Sequence, residues 1–224
     1  MAAIEQRASN LIWIFGDQHR AQALGLAGDA NVSTPNIDAL AAEGVTFEQA
    51  VSGSPLCCPY RGSLLSGRYP HKAVPGHQMQ LSPSPFKAAG YSTAWFGKWH
   101  VDGFQEREGR AAFHQIPRER RGGFDTWIGY ENNNAQYDAW VHGHRGAEEV
   151  ELQRLERYET DALTDLLIEH IRAKAQGDVP FFASFSVQPP HDPYVAPLEE
   201  LGRHSPGRIE LRANVPPVTR IVEL

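Results

Sequence analysis

The sequence predicts an α/β fold: a mainly parallel sheet flanked by helices on both faces. Two observations carry that expectation. Short, continuous apolar runs end in glycine or a polar residue, as strands buried on both faces do, and helical spacings lie between them. Strands that alternate with helices pair in parallel, with the helices covering the sheet.

The elements follow in chain order. Asn10–Phe15 is an apolar run stopped by Gly16 and reads as a buried parallel strand. Residues 34–44 read as a helix, with Ser33 or Thr34 as cap, Pro35 in the first turn, Ile37, Leu40 and Ala41 on one face, and Gly44 as stop. A second strand is expected at Val45–Ala50, a third at Tyr91–Phe96 closed by Gly97, and a fourth at Val179–Val187. Leu163, Leu166, Leu167 and Ile171 share a helical face within Thr160–Lys174, which predicts a crossover helix packed on the sheet. Arg107–Gly123 and Asn132–Glu151 are polar and irregular, and are expected to be surface insertions.

Composition narrows the function. The chain has 224 residues, 41% of them hydrophobic and 21% charged, which suits a globular protein with one good core. Its formal charge of −6 gives no basic footprint for nucleic acid. No apolar run approaches the roughly 18 residues of a membrane span. Glu5 and Arg7 precede the first run, so the start does not read as a signal peptide, and a cytoplasmic location is the expectation.

Polar residues that suit chemistry fall where the strands end, the edge at which an open α/β sheet forms a crevice. Asp17 and Gln18 follow the first strand, Lys98 and His100 the third, and His191 the fourth. Cys57 and Cys58, the two cysteines, stand beside Pro59, Tyr60 and Arg61 at what reads as a helix start. Exposed amides at such a start favour an anion, and Arg61 lies one turn along. Asp17 and Gln18 offer hard oxygen ligands, suited to calcium, magnesium or manganese. Lys98 and His100 suit the oxygens of a sulfate or phosphate ester, and His191 suits a proton donor. Cys58 is expected to pack against the core as a thiol. His19, His71, His77, His114, His142, His144, His170 and His204 are expected to be structural or solvated.

The run from Cys57 to Arg68, Cys-Cys-Pro-Tyr-Arg-Gly-Ser-Leu-Leu-Ser-Gly-Arg, resembles the signature of the sulfatase family, the formylglycine-dependent enzymes of the alkaline phosphatase superfamily. Asp17-Gln18, Thr34–Leu40, Gly97–His100 and Pro190–Pro193 resemble family segments in the same order. The resemblance implies an alkaline-phosphatase-like sandwich and a sulfuric ester hydrolase. It implies that a formylglycine-generating enzyme oxidises Cys57 to an aldehyde whose hydrate attacks the ester. Asp17 and the modified Cys57 would ligate a divalent metal, calcium foremost with manganese or magnesium as alternatives, and Gln18 would join them or lie alongside. Arg61 would stabilise the formylglycine, while Lys98, His100 and His191 would bind ester oxygens and assist the leaving group.

The pairing of Asp17 with glutamine resembles the choline-sulfatase and phosphonate monoester hydrolase branches. That keeps phosphonate monoesters and phosphodiesters open as small-molecule substrates beside sulfate esters. Family members continue well beyond this length and contribute a further acidic metal ligand. Residues 1–224 are therefore expected to form the amino-terminal part of one catalytic domain, with the sheet and metal site incomplete on the carboxyl-terminal side. A non-catalytic fragment is the remaining alternative.

Overall fold

The computed structural model describes residues 8–73, 83–213 and 215. Within these lie strands β1 (Leu11–Gly16), β2 (Ser92–Lys98), β3 (Thr126–Tyr130), β4 (Trp140–Arg145), β5 (Glu148–Arg154) and β6 (Phe181–Val187). The helices are α1 (Pro35–Glu43), α2 (Cys57–Ser66), α3 (Ser84–Ala88), α4 (Glu159–Ala175) and α5 (Leu198–Leu201). His77 falls outside the described residues. The chain divides into two units, residues 1–19 with 51–195, and residues 20–50 with 196–224.

The first unit holds the sheet, ordered β1-β6-β2-β3-β4-β5. The four strands from β1 to β3 run parallel, and β4 and β5 add an antiparallel hairpin at one edge. The sheet is thus mixed, parallel where the apolar runs are continuous. Alternation along the strands feeds two cores. Ala94, Phe96, Ile128, Ala183 and Phe185 pack with Leu163 and Leu167 of α4 on one face. Trp95, Trp99, Trp127, Phe124 and Phe182 pack on the other, where Leu65 of α2 and Phe86 of α3 join them. Strands filled on both faces explain why β2 and β6 read as unbroken apolar runs.

Three expectations change. Val45–Ala50 forms no strand, and Val45 and Phe47 are exposed. An apolar pair there lacks the unbroken run that a parallel strand needs. Asn132–Glu151 is no surface insertion: it carries β4, which hydrogen-bonds onto β3, and the start of β5, which pairs with β4. Its polar residues are buried because they are paired, His142 accepting the Ile116 amide at 2.8 Å and His144 meeting Arg121 at 3.1 Å. Arg107–Gly123 is irregular, with short 3-10 turns, yet Ala111, Ala112, Ile116 and Arg121 are buried.

The run in β1 is parallel to β6 as expected, but Leu11–Ile14 are exposed rather than buried. Among the described strands β1 pairs on one side alone, so its other edge is open.

In the second unit, α1 begins where the spacing predicts, with Thr34 at the cap position. The Thr34 hydroxyl does not cap the helix. It accepts the Gly25 amide at 2.8 Å and donates to Asp38 at 2.9 Å, tying a preceding turn to α1. The Asn31 side chain and the Glu210 backbone bond each other at 2.8 and 3.1 Å, joining the two chain segments of this unit.

Close strand approach sets one strict requirement. Gly97 has φ of +99°, and a Cβ there would lie 2.1 Å from the Ser186 carbonyl oxygen on β6. Backbone cannot yield as a side chain does. Gly97→Ala is therefore expected to lower stability by about 3 kcal/mol or more, read as a shifted midpoint in urea unfolding.

Candidate active site

The site grows from three strand ends and one helix start, all in the first unit. The Asp17 amide donates to the Val187 carbonyl at 3.0 Å, continuing the β1–β6 register by one residue and holding Asp17 at the strand end. Helix α2 begins at Cys57 after an extended Leu56, so Pro59 falls in the first turn, where a missing N–H costs nothing. That turn points Cys57 at Asp17: its Sγ donates to Oδ1 at 3.2 Å.

Two buried cations meet the same carboxylate. Lys98, at the end of β2, places Nζ 2.6 Å from Asp17 Oδ2, and Arg61 reaches the same oxygen at 3.5 Å. Arg61 also donates to the Lys98 carbonyl at 2.6 Å and the Ser186 hydroxyl at 2.8 Å, with its guanidinium 5.6 Å above the Phe15 ring. It joins β1, β2, β6 and α2 at one point. Burial alone would raise the Asp17 pKa, but Lys98 and Arg61 overcome it and hold the carboxyl at about 2. Burial and the Asp17 carboxylate push the Cys57 thiol up, against the pull of Lys98. Cys57 as a thiol is therefore a poor nucleophile at neutral pH.

The histidines differ. His100 follows β2 in a left-handed conformation, φ +53°. Burial first, then Lys98 and Arg61, hold its imidazole down to about 3, so it is neutral at physiological pH. His191 is fixed by its amide, which donates to the Gln188 carbonyl at 3.0 Å, and by Nδ1, which donates to the Asp192 carbonyl at 2.7 Å. With the proton on Nδ1, the lone pair of a neutral ring sits on Nε2. Ligand atoms of Asp17, Cys57 and His191 all lie within 4.8 Å of one another. Gln18 is exposed, with φ of +59°. Cys58 is half-buried, and burial with the nearby Glu131 charge pushes its thiol up to about 11.

Beside His100 and Cys58 opens a cavity of about 390 Å3, lined also by Phe104, Glu106, Glu131 and Asn132. Several supporting groups carry no sequence pattern that marks them. Ser186 is one more residue of an apolar strand. Glu159 opens α4, yet its buried carboxylate accepts from Tyr130 Oη, from Asn133 Nδ2 at 3.0 Å and from the Gln188 amide at 3.1 Å. An acid at a helix start is a weak signal, and what it binds depends on strands brought together from elsewhere.

The Sulfatase family matches residues 9–203 of this chain. The chain belongs to the sulfatase family. The ulvan-active sulfatase of Formosa agariphila is 37% identical over 95% of this chain and 42% of its own length. The yidJ structure of Bacteroides fragilis overlays at a TM-score of 0.74, with 27% identity, over 86% of this chain and 46% of that one. The phosphonate monoester hydrolase of Silicibacter pomeroyi overlays at 0.65, with 25% identity, over 94% and 47%. This chain spans less than half the length of these relatives.

The sign of the Asp17 shift gives a test of this sulfatase's charge cluster. Its folded pKa lies below the ordinary 3.8, so the stabilisation is complete above pH 4 and is lost as pH falls through about 2. The shift corresponds to roughly 2 kcal/mol. Asp17→Asn should lose more than that at pH 7, because Lys98 and Arg61 stay buried without their counter-charge, and should flatten the stability curve between pH 4 and 2, followed by urea unfolding across that range.

Proposed function

We propose that this chain carries the amino-terminal part of a sulfuric ester hydrolase whose nucleophile derives from Cys57. The observation that carries the reading is Cys57 itself, set on the first turn of α2, 3.2 Å from Asp17, with its thiol pKa pushed up. A thiol so placed is disfavoured as a thiolate, which fits a nucleophile made by a formylglycine-generating enzyme better than a cysteine thiolate. The converted residue would supply, as its hydrate, a hydroxyl nucleophile and a second hydroxyl for release of sulfate.

The chain's own residues support an anionic ester. Lys98 and Arg61 bring two positive charges against one carboxylate, and α2 directs its free amides at the same point. Lys98 and His191 are proposed to bind the non-bridging oxygens. His191, as an imidazolium carrying a second proton on Nε2, is proposed to protonate the leaving oxygen, and neutral His100 to take a proton from the nucleophile. Arg61 holds the end of β2 and the carboxylate in register.

The residues fit a divalent cation in part. Asp17 is ionised and buried, and His191 and the Cys57 position lie within reach. A hard cation takes about six to eight oxygens, and Asp17 is the one carboxylate of this group. Calcium is the cation proposed first, with magnesium or manganese as alternatives, and it would act as a Lewis acid on the ester.

The cavity beside His100 is proposed to take the alcohol half, at a volume within the usual range for small ligands. The name of the ulvan-active relative favours a sulfated carbohydrate as that alcohol. Hydrolysis of a phosphonate monoester or phosphodiester is the second reading. It is favoured by Gln18 beside Asp17 and by the overlay with a phosphonate monoester hydrolase.

Co-expression with a formylglycine-generating enzyme, followed by mass analysis of the Cys57 peptide, tests the proposal directly. An aldehyde at Cys57, with sulfate released from an aryl sulfate faster than product from an aryl phosphonate, is the expected result. Conversion with a preference for phosphonate would select the second reading, whereas a persistent thiol would overturn both. Where turnover is seen, chelation should abolish it and calcium restore it.

A further inference from the structure

Glu131 has no counterpart among the groups that the proposed chemistry uses, yet its side chain is fully buried in the first unit. Among the described residues no cation pairs with it. Its carboxylate instead collects backbone amides from the loop after β2: Asp102 donates at 3.1 Å and Gly103 at 2.9 Å. Two successive amides on one carboxylate fix a peptide segment more tightly than a side-chain contact would. His100 lies two residues before that segment.

His100 needs such a hold. Its φ of +53° is unfavourable for a residue with a β-carbon. Its Nδ1 is buried and has no hydrogen-bond partner among the described residues, so no bond at that nitrogen orients the ring. The backbone on the other side is pinned too, because the Trp99 amide donates to the Tyr130 carbonyl at 2.8 Å. Tyr130 and Glu131 are consecutive. The end of β3 therefore grips the chain immediately before His100 and again from the second residue after it.

We infer that Glu131 is the positioning residue for His100: its carboxylate, by holding the amides of Asp102 and Gly103, keeps the His100 ring aimed into the site. The assignment deepens the sulfatase reading and rests on it for its catalytic meaning. Burial keeps the Glu131 pKa up at about 7, against the lowering effect of the amides. Such a costly acid without a cation is consistent with a placement task. The same carboxylate borders the cavity beside Cys58, so the loop it organises also forms that cavity's wall through Gly103 and Phe104.

The test reads the His100 ring itself, with activity as a separate arm. In nitrogen-edited imidazole spectra of the full chain, His100 should give one sharp signal that broadens or splits in Glu131→Gln. Asp125→Asn, which removes bonds to Thr93 near the opposite end of β2, should leave it unchanged. Glu131→Asp, which keeps the charge on a shorter arm, should fall between. A folded Glu131→Gln with an unchanged His100 signal would overturn the assignment. Should both variants fail to fold, amide exchange in the wild-type chain decides, since Asp102 and Gly103 must then be protected, and exchange at exposed-loop rates sinks the idea. In a preparation that turns over ester, Glu131→Gln should lower kcat about tenfold or more with KM little changed. Absence of ester turnover in wild type, with the ring signal behaving as stated, would count against the sulfatase reading alone.

Discussion

The architecture of the site depends on one buried carboxylate held between two cations. Asp17 would be driven towards its neutral form by burial, and Lys98 and Arg61 keep it charged. Each member arrives on a different element: Asp17 after β1, Lys98 at the end of β2, Arg61 on α2. Arg61 extends the tie to β6 through the Ser186 hydroxyl. Removing any one member leaves a buried charge without its partner, which is far more costly than the pair is stabilising. The three strand ends and the helix start are consequently placed by the same interaction that sets the local charge. The cluster carries one more positive charge than negative, because His100 is held neutral.

Two further carboxylates do different work. Glu131 and Glu159 are buried without a cation, and each binds hydrogen-bond donors drawn from segments far apart in the chain. Glu131 gathers the loop after β2, whereas Glu159 joins β3, the Asn133 loop and the end of β6. Burial raises the pKa of both, against the hydrogen bonds they accept. Together they fix the loops that carry His100 and His191, which follow the carboxyl ends of the adjacent parallel strands β2 and β6. The positive cluster sets what binds, and these acids set where the histidines stand.

The chain made legible whatever depends on local pattern. Runs such as Phe181–Val187 alternate between two filled faces, so every residue is apolar or small, and the strand is visible without a partner. The helix start at Cys57 was legible from Pro59, and Asp17, Lys98, His100 and His191 from their place just after apolar runs. Strands β4 and β5 were not legible, because their polar residues are satisfied by pairing with one another and with the Arg107–Gly123 segment. His142 and Arg121 look like surface residues until the Ile116 backbone is brought to both. Glu131 was missed for the same reason. Its meaning lies in amides contributed by residues about thirty positions away, and nothing in a linear pattern marks an acid that binds backbone. The exposure of β1 was missed in the opposite sense: an apolar run reports that a strand is fit for burial, and what covers it is decided elsewhere.

Charge does not decide the choice of ester. A sulfate monoester, a phosphonate monoester and a phosphodiester each carry one negative charge at neutral pH, so the charge of Lys98, Arg61 and Asp17, with the proposed cation or without it, does not separate them. On the proposed reading, discrimination among them falls to the groups around the leaving alcohol. Those are the walls of the cavity beside His100, where Phe104 offers an apolar face and Glu106 and Asn132 offer polar atoms. An alcohol with both a ring face and hydroxyls meets such a lining better than a compact cation or a plain alkyl chain. The loop that Glu131 holds thus governs both the aim of His100 and the shape presented to the alcohol, so a change in one is expected to be felt in the other.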